Sequence, residues 1–286
     1  MLGAEILKTR KRWLPYGLFA FAVVGVLIIT LVGGYIEWHQ SQDTDPYAAG
    51  TAYHAFVFPY SVAALVDSGQ YWGSMFVGIL AASVVATEYR WGTVRQVLIR
   101  GQRRTDYLAL KILAISIVSC AMLLTALALG LIISLYTTNV ANGQITLDVP
   151  GEPDALDLGL IVLRGAWGIT PYGMLAVMLA VVSRSSVTAV TGIILFLFGE
   201  SVVIALLDGL GGVGTLLQDI SIGENVKVLI AANKIGFSEY NSMSLRAQLN
   251  PSDAPDANVA ALILAGHTAV YAGVAFFFFG RRDVTA

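Results

Sequence analysis

The sequence predicts an all-α membrane protein: one transmembrane domain of six helices with both termini cytoplasmic. Three observations lead there. Apolar residues make up 56% of the 286 and charged residues only 13%, against about 25% charged in average soluble domains. Several apolar runs approach the ~20 residues a helix needs to cross ~30 Å of hydrocarbon. Between those runs, basic and acidic segments alternate.

Residues 1–14 combine Ile6, Leu7, Trp13 and Leu14 with the basic cluster Lys8, Arg10, Lys11 and Arg12. This pattern suits a short interfacial helix on an anionic leaflet, and equally a plain topogenic signal. The first span is predicted over 15–36. Pro15 fits a first helical turn, and Trp13, Tyr16, Tyr35 and Trp38 mark the two interfaces. This run is too long for a signal peptide and lacks a small-residue cleavage site, so it reads as a retained span. Residues 37–70 carry Glu37, Asp43, Asp45 and Asp67 but no Lys or Arg. Their apolar run Ala55–Val66 is too short to cross a bilayer, so the expectation is a helix lying on or dipping into the outer surface.

The second span is predicted over 71–87 and the third over 108–136, the latter long enough to tilt. The loop 137–157 is acidic, with turn signals at Asn142-Gly143 and Pro150-Gly151. Spans four and five, 158–182 and 187–207, are separated only by a polar turn around Arg184. A large outer loop, 208–257, follows; within it Val226–Ala232 has room for one or two amphipathic turns. The sixth span, 258–280, ends in Arg281-Arg282. Placing the amino terminus, residues 88–111, Arg184 and the carboxy terminus on one side gives that side 13 of the 17 Lys/Arg and 4 of the 19 acids. Cations favour the cytoplasmic side, which sets the orientation.

Several chemistries find no support. No phosphate-binding loop with its lysine occurs, no His-Glu-x-x-His and no Gly-x-Ser-x-Gly. His39, His54 and His267 are scattered, so neither catalytic nor metal-binding residues are assigned, and no nucleic-acid partner is expected. Cys120 is the single cysteine, so an internal disulfide is impossible. Three ionisable residues fall within the later spans: Arg164, Glu200 and His267. They sit 6, 7 and 9 residues in from the outer span ends, which is ~9–14 Å deep. Charge in hydrocarbon is costly, so a shared depth predicts that Glu200 pairs with Arg164 or His267 at an outer gate. A structural hydrogen bond, or an Arg164 that snorkels outward, is the plainer reading.

The segment 88–111 carries six Lys/Arg against two acids. Val94, Val97 and Leu98 recur at helical spacing and Ile99 widens that face, with Arg95, Gln96 and Arg100 elsewhere and Gly101 as a stop. Such a helix presents an apolar ridge with a basic rim, the helix-in-groove mode of recognition. Glu88 is expected to pair with Arg95 or Arg104. The plainer alternative is that these arginines only satisfy the charge rule and touch lipid phosphates.

The run Glu88…Gly92-Thr93…Leu98…Arg104…Lys111, between two apolar helices, resembles the segment after the second span of ABC type 2 permeases. These are the membrane subunits of ATP-binding-cassette exporters. Gly101 stands where that pattern has a proline, and Arg103 where it has a serine. The resemblance implies a half-permease in a prokaryotic inner (plasma) membrane, paired with an identical or related second permease subunit. It implies separate ATPase subunits that hold ATP and Mg, since this chain holds no such cofactor and is no enzyme itself. Residues 89–100 would be the coupling helix, with Glu88, Arg90, Gly92, Thr93, Val94, Val97, Leu98 and Arg104 forming the ATPase-docking site. The amino-terminal helix would be a second contact. A stand-alone secondary transporter or channel, or a non-transporting scaffold, are the other readings. The first of these would show two homologous halves or broken helices with midplane charges.

Overall fold

The computed structural model describes residues 2–41, 52–53, 56–143, 154–207, 212–233 and 256–281. Helices account for nearly all of this, and no strand occurs among the described residues. A short helix α1, Leu2–Arg10, leads into α2, Leu14–Leu27. A wide π-helical turn, Ile28–Val32, joins α2 to α3, Gly33–Ser41. Four of that turn's five residues are β-branched and two glycines follow, which weakens the hold of regular α geometry. Next come α4, Ser61–Arg90, and α5, Thr93–Ile99. The long α6, Arg104–Asn142, and α7, Ala155–Ser183, follow. The last four are α8, Ser186–Leu207, α9, Gly212–Ile220, α10, Ile222–Ala231, and α11, Ala257–Arg281.

Five of these helices, α4, α6, α7, α8 and α11, are long and apolar enough to cross a membrane; α2 is a shorter apolar helix. Their ends lie within a few residues of the predicted spans, with one exception. The second span does not begin at Tyr71, and the run Ala55–Val66 is not a separate surface helix. From Ser61 onward that run is the first turns of α4, which is 30 residues long. Its Asp67 and Gln70 break the hydropathy signal, but the Gln70 amide nitrogen finds a tertiary partner: its Nε2 donates to the Gly165 carbonyl at 2.9 Å. The same end of α4 is tied to α6. Ser61 and Ser134 share a hydrogen bond of 2.5 Å, and Thr138 Oγ1 accepts from the Phe58 N–H at 2.9 Å.

Helix α4 is the hub, with α2, α6, α7 and α8 all packed on it. The main core joins its Leu80, Ala81 and Ala82 to Ala176 and Ala180 of α7 and to Ala189 and Ile193 of α8. Small residues let the backbones approach closely. A Cβ added at Gly165 would lie 2.5 Å from Val66 Cγ1, and one at Gly78 would lie 2.7 Å from Ile193 Cγ1. Helix α7 starts with a capping box: Asp154 accepts from the Asp157 N–H at 2.8 Å, and Asp157 accepts from the Asp154 N–H.

The region predicted as the outer loop 208–257 is not loop where it is described. Helices α9 and α10 follow one another there, and α10 is buried against α7 and α11 through Ile222, Leu229 and Ile230. The turns expected at Val226–Ala232 are the second half of this helix, and they face the interior. Of the rest of that loop, residues 208–211 and 234–255 lie outside the described residues.

The close approach of α4 and α7 predicts that Gly165→Val lowers thermal stability in detergent, by about 1–3 kcal/mol from overpacking. At Gly159, where an added Cβ meets nothing within 4 Å, Gly159→Ala should leave the melting temperature unchanged or raise it.

Candidate functional site: an ion-paired hairpin tip and a helix gripped at both ends

The α4–α5–α6 hairpin forms the basic end of the molecule. Its reversal depends on Gly92, whose φ of +66° lies in the left-handed region that glycine adopts without strain. Thr93 Oγ1 donates to the Glu88 carbonyl at 3.2 Å and steadies the turn. Helix α5 then lies back on the protein. Val94 is 2% exposed within the main core, and Val97 and Leu98 pack against it. Of the apolar ridge expected to face a partner, Val94, Val97 and Leu98 are therefore turned inward, and Ile99 alone stays on the outer face. The exposed face of the tip carries Trp91, Arg95, Gln96, Ile99 (75% exposed) and Arg100, with Arg90 exposed beside it.

Beneath the tip is a sealed cluster of charge. Lys111 of α6 and Glu88 of α4, with side chains 2% and 4% exposed, meet at 2.5 Å. Lys111 also meets Glu5 of α1 at 2.9 Å, and Lys8 meets Glu5 at 2.7 Å and Glu88 at 3.8 Å. The Tyr107 hydroxyl donates to the other Glu88 oxygen. Tyr107 stacks on Phe279 of α11 at 5.8 Å, and Arg104 Nη1 donates to the Gly280 carbonyl at 3.1 Å. Arg12 lies over the Trp91 ring at 5.0 Å. Glu88 thus takes Lys111, Lys8 and Tyr107 as partners, not Arg95 or Arg104. Sequence spacing favoured the near arginines; the chosen partners come from α1 and from the antiparallel α6. Glu5, Lys8 and Tyr107 carried no sequence signal for this role, although Lys111 closed the motif. Burial alone would raise the Glu5 carboxyl, but hydrogen bonds from Lys8 and Lys111 outweigh that and hold it below its ordinary 4.5.

The second constellation lies at the opposite end. Arg164, Glu200 and His267 do not pair with one another. Glu200 Oε1 accepts from the Ile222 and Gly223 N–H groups at 2.6 and 3.1 Å, and the Tyr172 hydroxyl donates to its Oε2 at 3.3 Å. Arg164 Nη1 donates to the Ala232 carbonyl at 3.1 Å and to Asn233 Oδ1 at 2.8 Å. The carboxylate, from α8, meets the amino end of α10, and the guanidinium, from α7, meets its carboxyl end. Glu200 satisfies two orphan N–H groups and Arg164 one carbonyl, and each charge opposes the local end of the helix dipole. His267 Nδ1 contacts the Ile263 carbonyl of its own helix at 3.0 Å. Arg164 and Glu200 thus hold one helix between them, and His267 takes no part in that grip. Among the described residues, no three His, Cys, Asp or Glu converge as a metal site requires.

Taken together these features define a multi-pass, all-helical membrane protein with a basic hairpin tip and a buried short helix at the far end. Residues 57–285 match the family model described as "Protein of unknown function (DUF2705)", and the chain belongs to that family. The match includes the hairpin tip and α10 but begins after α1. No curated protein matches the chain.

Breaking the sealed cluster at one member should be costly. Lys111→Met leaves two carboxylates without their buried cation and should lose about 3–5 kcal/mol, read as thermal unfolding in detergent. Adding Glu5→Gln and Glu88→Gln should recover most of that loss. Because Glu5 is held below 4.5, its contribution is complete above that value and fades as pH falls through the lowered one. Docking of α1 should therefore loosen only in acid, as release of α1 to proteolysis would show. At the far end, Glu200→Leu orphans two N–H groups. Amide exchange at Ile222 and Gly223 should then quicken by about tenfold, the equivalent of one hydrogen bond of ~1.4 kcal/mol.

Proposed function

We propose that this chain is the membrane-spanning permease subunit of an ATP-driven exporter of the ABC type 2 class. In this reading there are six spans, the additional one being the continuous helical run from Leu14 to Ser41 through its π turn. Both termini and the hairpin tip face the cytoplasm of a prokaryotic cell, as the charge asymmetry favours. A second permease subunit, identical or related, completes the pathway. Separate ATPase subunits bind ATP and Mg.

One observation carries the reading: a short, exposed, basic helix is locked between two membrane-crossing helices by a buried ion pair. A tip that served only the charge rule would need no Glu88–Lys111 lock and no left-handed turn at Gly92. Here a force on α5 passes to α4 and α6 together. The third strand of the lock, α1, is tied in by Glu5, so it would move with the tip as a second contact. From α4 the movement reaches α7 and α8, the two helices that grip α10. A shift between them would pull on that helix from both ends, which makes it the natural outer gate. The docking surface is Trp91, Arg95, Ile99 and Arg100, with Arg90 beside it; Val94, Val97 and Leu98 hold the helix in place from below. An ATPase groove of acidic rim and apolar floor would suit that surface.

The test is co-purification from the native host in mild detergent. The wild-type chain should bring down an ATPase with a Walker motif. The double change Ile99→Asp with Arg95→Glu, both at exposed positions, should remove that ATPase while leaving the melting temperature of the chain within about a degree, as surface substitutions do. A chain that moves cargo in vesicles without nucleotide or companion would overturn the proposal.

A further inference from the structure

A cavity of about 620 Å³ runs along the molecule between α2, α4, α6 and α7. It exists because α6 and α7 both lean on α4 and make at most marginal contact with each other. Its lining reaches from Ile112 to Leu127 on α6 and from Gly159 to Val177 on α7, which is ~22 and ~27 Å of helix. It begins one turn inside the far end of α7. Toward the basic end its lining stops at Ile112 on α6, the residue after Lys111, and at Val77 on α4, and no member of the charge cluster lines it. The rims are open: Leu124 on α6 and Leu163 on α7 line the slot and are also exposed on the outside.

The walls decide what fits. They are mostly aliphatic and aromatic, with few polar groups: the Gln70 amide nitrogen is committed to Gly165, and the Gln70 Oε1 and Ser119 Oγ are buried without a partner. Ordered water needs two to four polar partners and finds few here. Hydrocarbon gains dispersion contact on every side. The slot lies at the depth of helices long enough to cross a bilayer and opens sideways, where lipid tails are the surrounding medium. An acyl chain covers about half of the ~30 Å hydrocarbon core, so the slot can sheathe a whole one.

We infer that this slot is a binding site for one acyl chain of a bilayer lipid, inserted sideways between α6 and α7. The head group stays outside, at the end of the molecule remote from the charge cluster. The seated tail is a removable wall between two helices that otherwise make at most marginal contact. The inference needs only that the chain is embedded in a membrane, so it stands whether or not an ATPase partner exists.

Two glycines make the test clean. Gly69 on α4 and Gly159 on α7 line the slot, and an added Cβ at either meets nothing within 4 Å. Gly69→Leu with Gly159→Leu would fill the space, and replacing glycine also favours the helical state. The full chain is placed in nanodiscs of dioleoylphosphatidylcholine with a trace of phosphatidylcholine carrying a diazirine on one acyl chain. After illumination, adducts are mapped by mass spectrometry. Adducts are expected at Ser116, Cys120 and Thr170 inside the slot, and at Val202 and Leu206 on the open face of α8. The filled variant should lose slot adducts by about fivefold or more, the equivalent of ~1 kcal/mol in occupancy, with the α8 adducts unchanged. If the glycine pair fails to fold, Ser116→Phe narrows the slot from the other wall and serves the same comparison. Slot adducts absent in the wild type, or undiminished in a folded filled variant, would overturn the assignment. So would efficient Cys120–Cys120 coupling between copies without slot adducts, which would give the slot to a second copy of the chain.

Discussion

Two opposite charges sealed from solvent, on Glu88 and Lys111, hold the basic end of this molecule together. Removing either takes from the other its nearest buried counter-charge and leaves only the outer members of the cluster, Glu5 for Lys111 and the more distant Lys8 for Glu88, so the pair behaves as one unit. Through it, α4 and α6 cannot slide past one another at that end, and through Glu5 the amphipathic α1 is drawn into the same unit. Tyr107 extends the contact to α11 by stacking on Phe279. Four separate helices thus share one electrostatic joint, beneath a tip whose outer face carries exposed arginines and two large apolar side chains. Stiffness below and accessibility above are what a force-receiving element needs.

The far end is built on the same physics with different groups. There the charges do not meet each other; they meet the two ends of a ten-residue helix. A carboxylate against two free N–H groups, and a guanidinium against the Ala232 carbonyl and the Asn233 side chain, replace part of what water would supply at those ends. Helix α10 therefore sits among apolar neighbours with a charged partner at each end, and α7 and α8 become linked through it. The centre of the molecule holds no such joints. It relies on small residues that let α4, α7 and α8 close together, and it leaves a hydrocarbon-walled slot where α6 and α7 part.

Much of this architecture was legible in the residues. The long helices follow from runs of Leu, Ile, Val and Ala that admit no other reading at that length, and their ends shift by only a few residues from expectation. The start of α4 was hidden because Asp67 and Gln70 lower the local hydropathy; the contact that accommodates Gln70 comes from α7, almost a hundred positions away. Periodicity found the ridge of α5 but not its direction. Val94 repeats at the right interval whether it faces a partner or its own core. Charge spacing likewise put Glu88 beside the nearest arginines, whereas folding put it beside a lysine 23 positions on and a helix at the start of the chain. Arg164 and Glu200 stood out as ionisable residues within apolar helices; what they hold was invisible because α10 lies in a segment that reads as a loop with at most one or two helical turns. These misses share a cause: each depended on which faces meet, and that is decided by the assembled bundle.

The double grip on α10 also limits how this region can change in length. Each residue added inside a helix turns everything after it by about 100° and advances it ~1.5 Å. A single insertion between Ile222 and Ala231 would swing the terminal carbonyls out of line with Arg164 while the N–H groups stayed with Glu200. Only additions near whole turns, three or four residues and then seven, would bring both ends back into phase, and even those would need α7 and α8 to stand farther apart. The helix therefore acts as a ruler: its residue number sets a spacing between two neighbours, and drift in length is confined to the segments on either side of it.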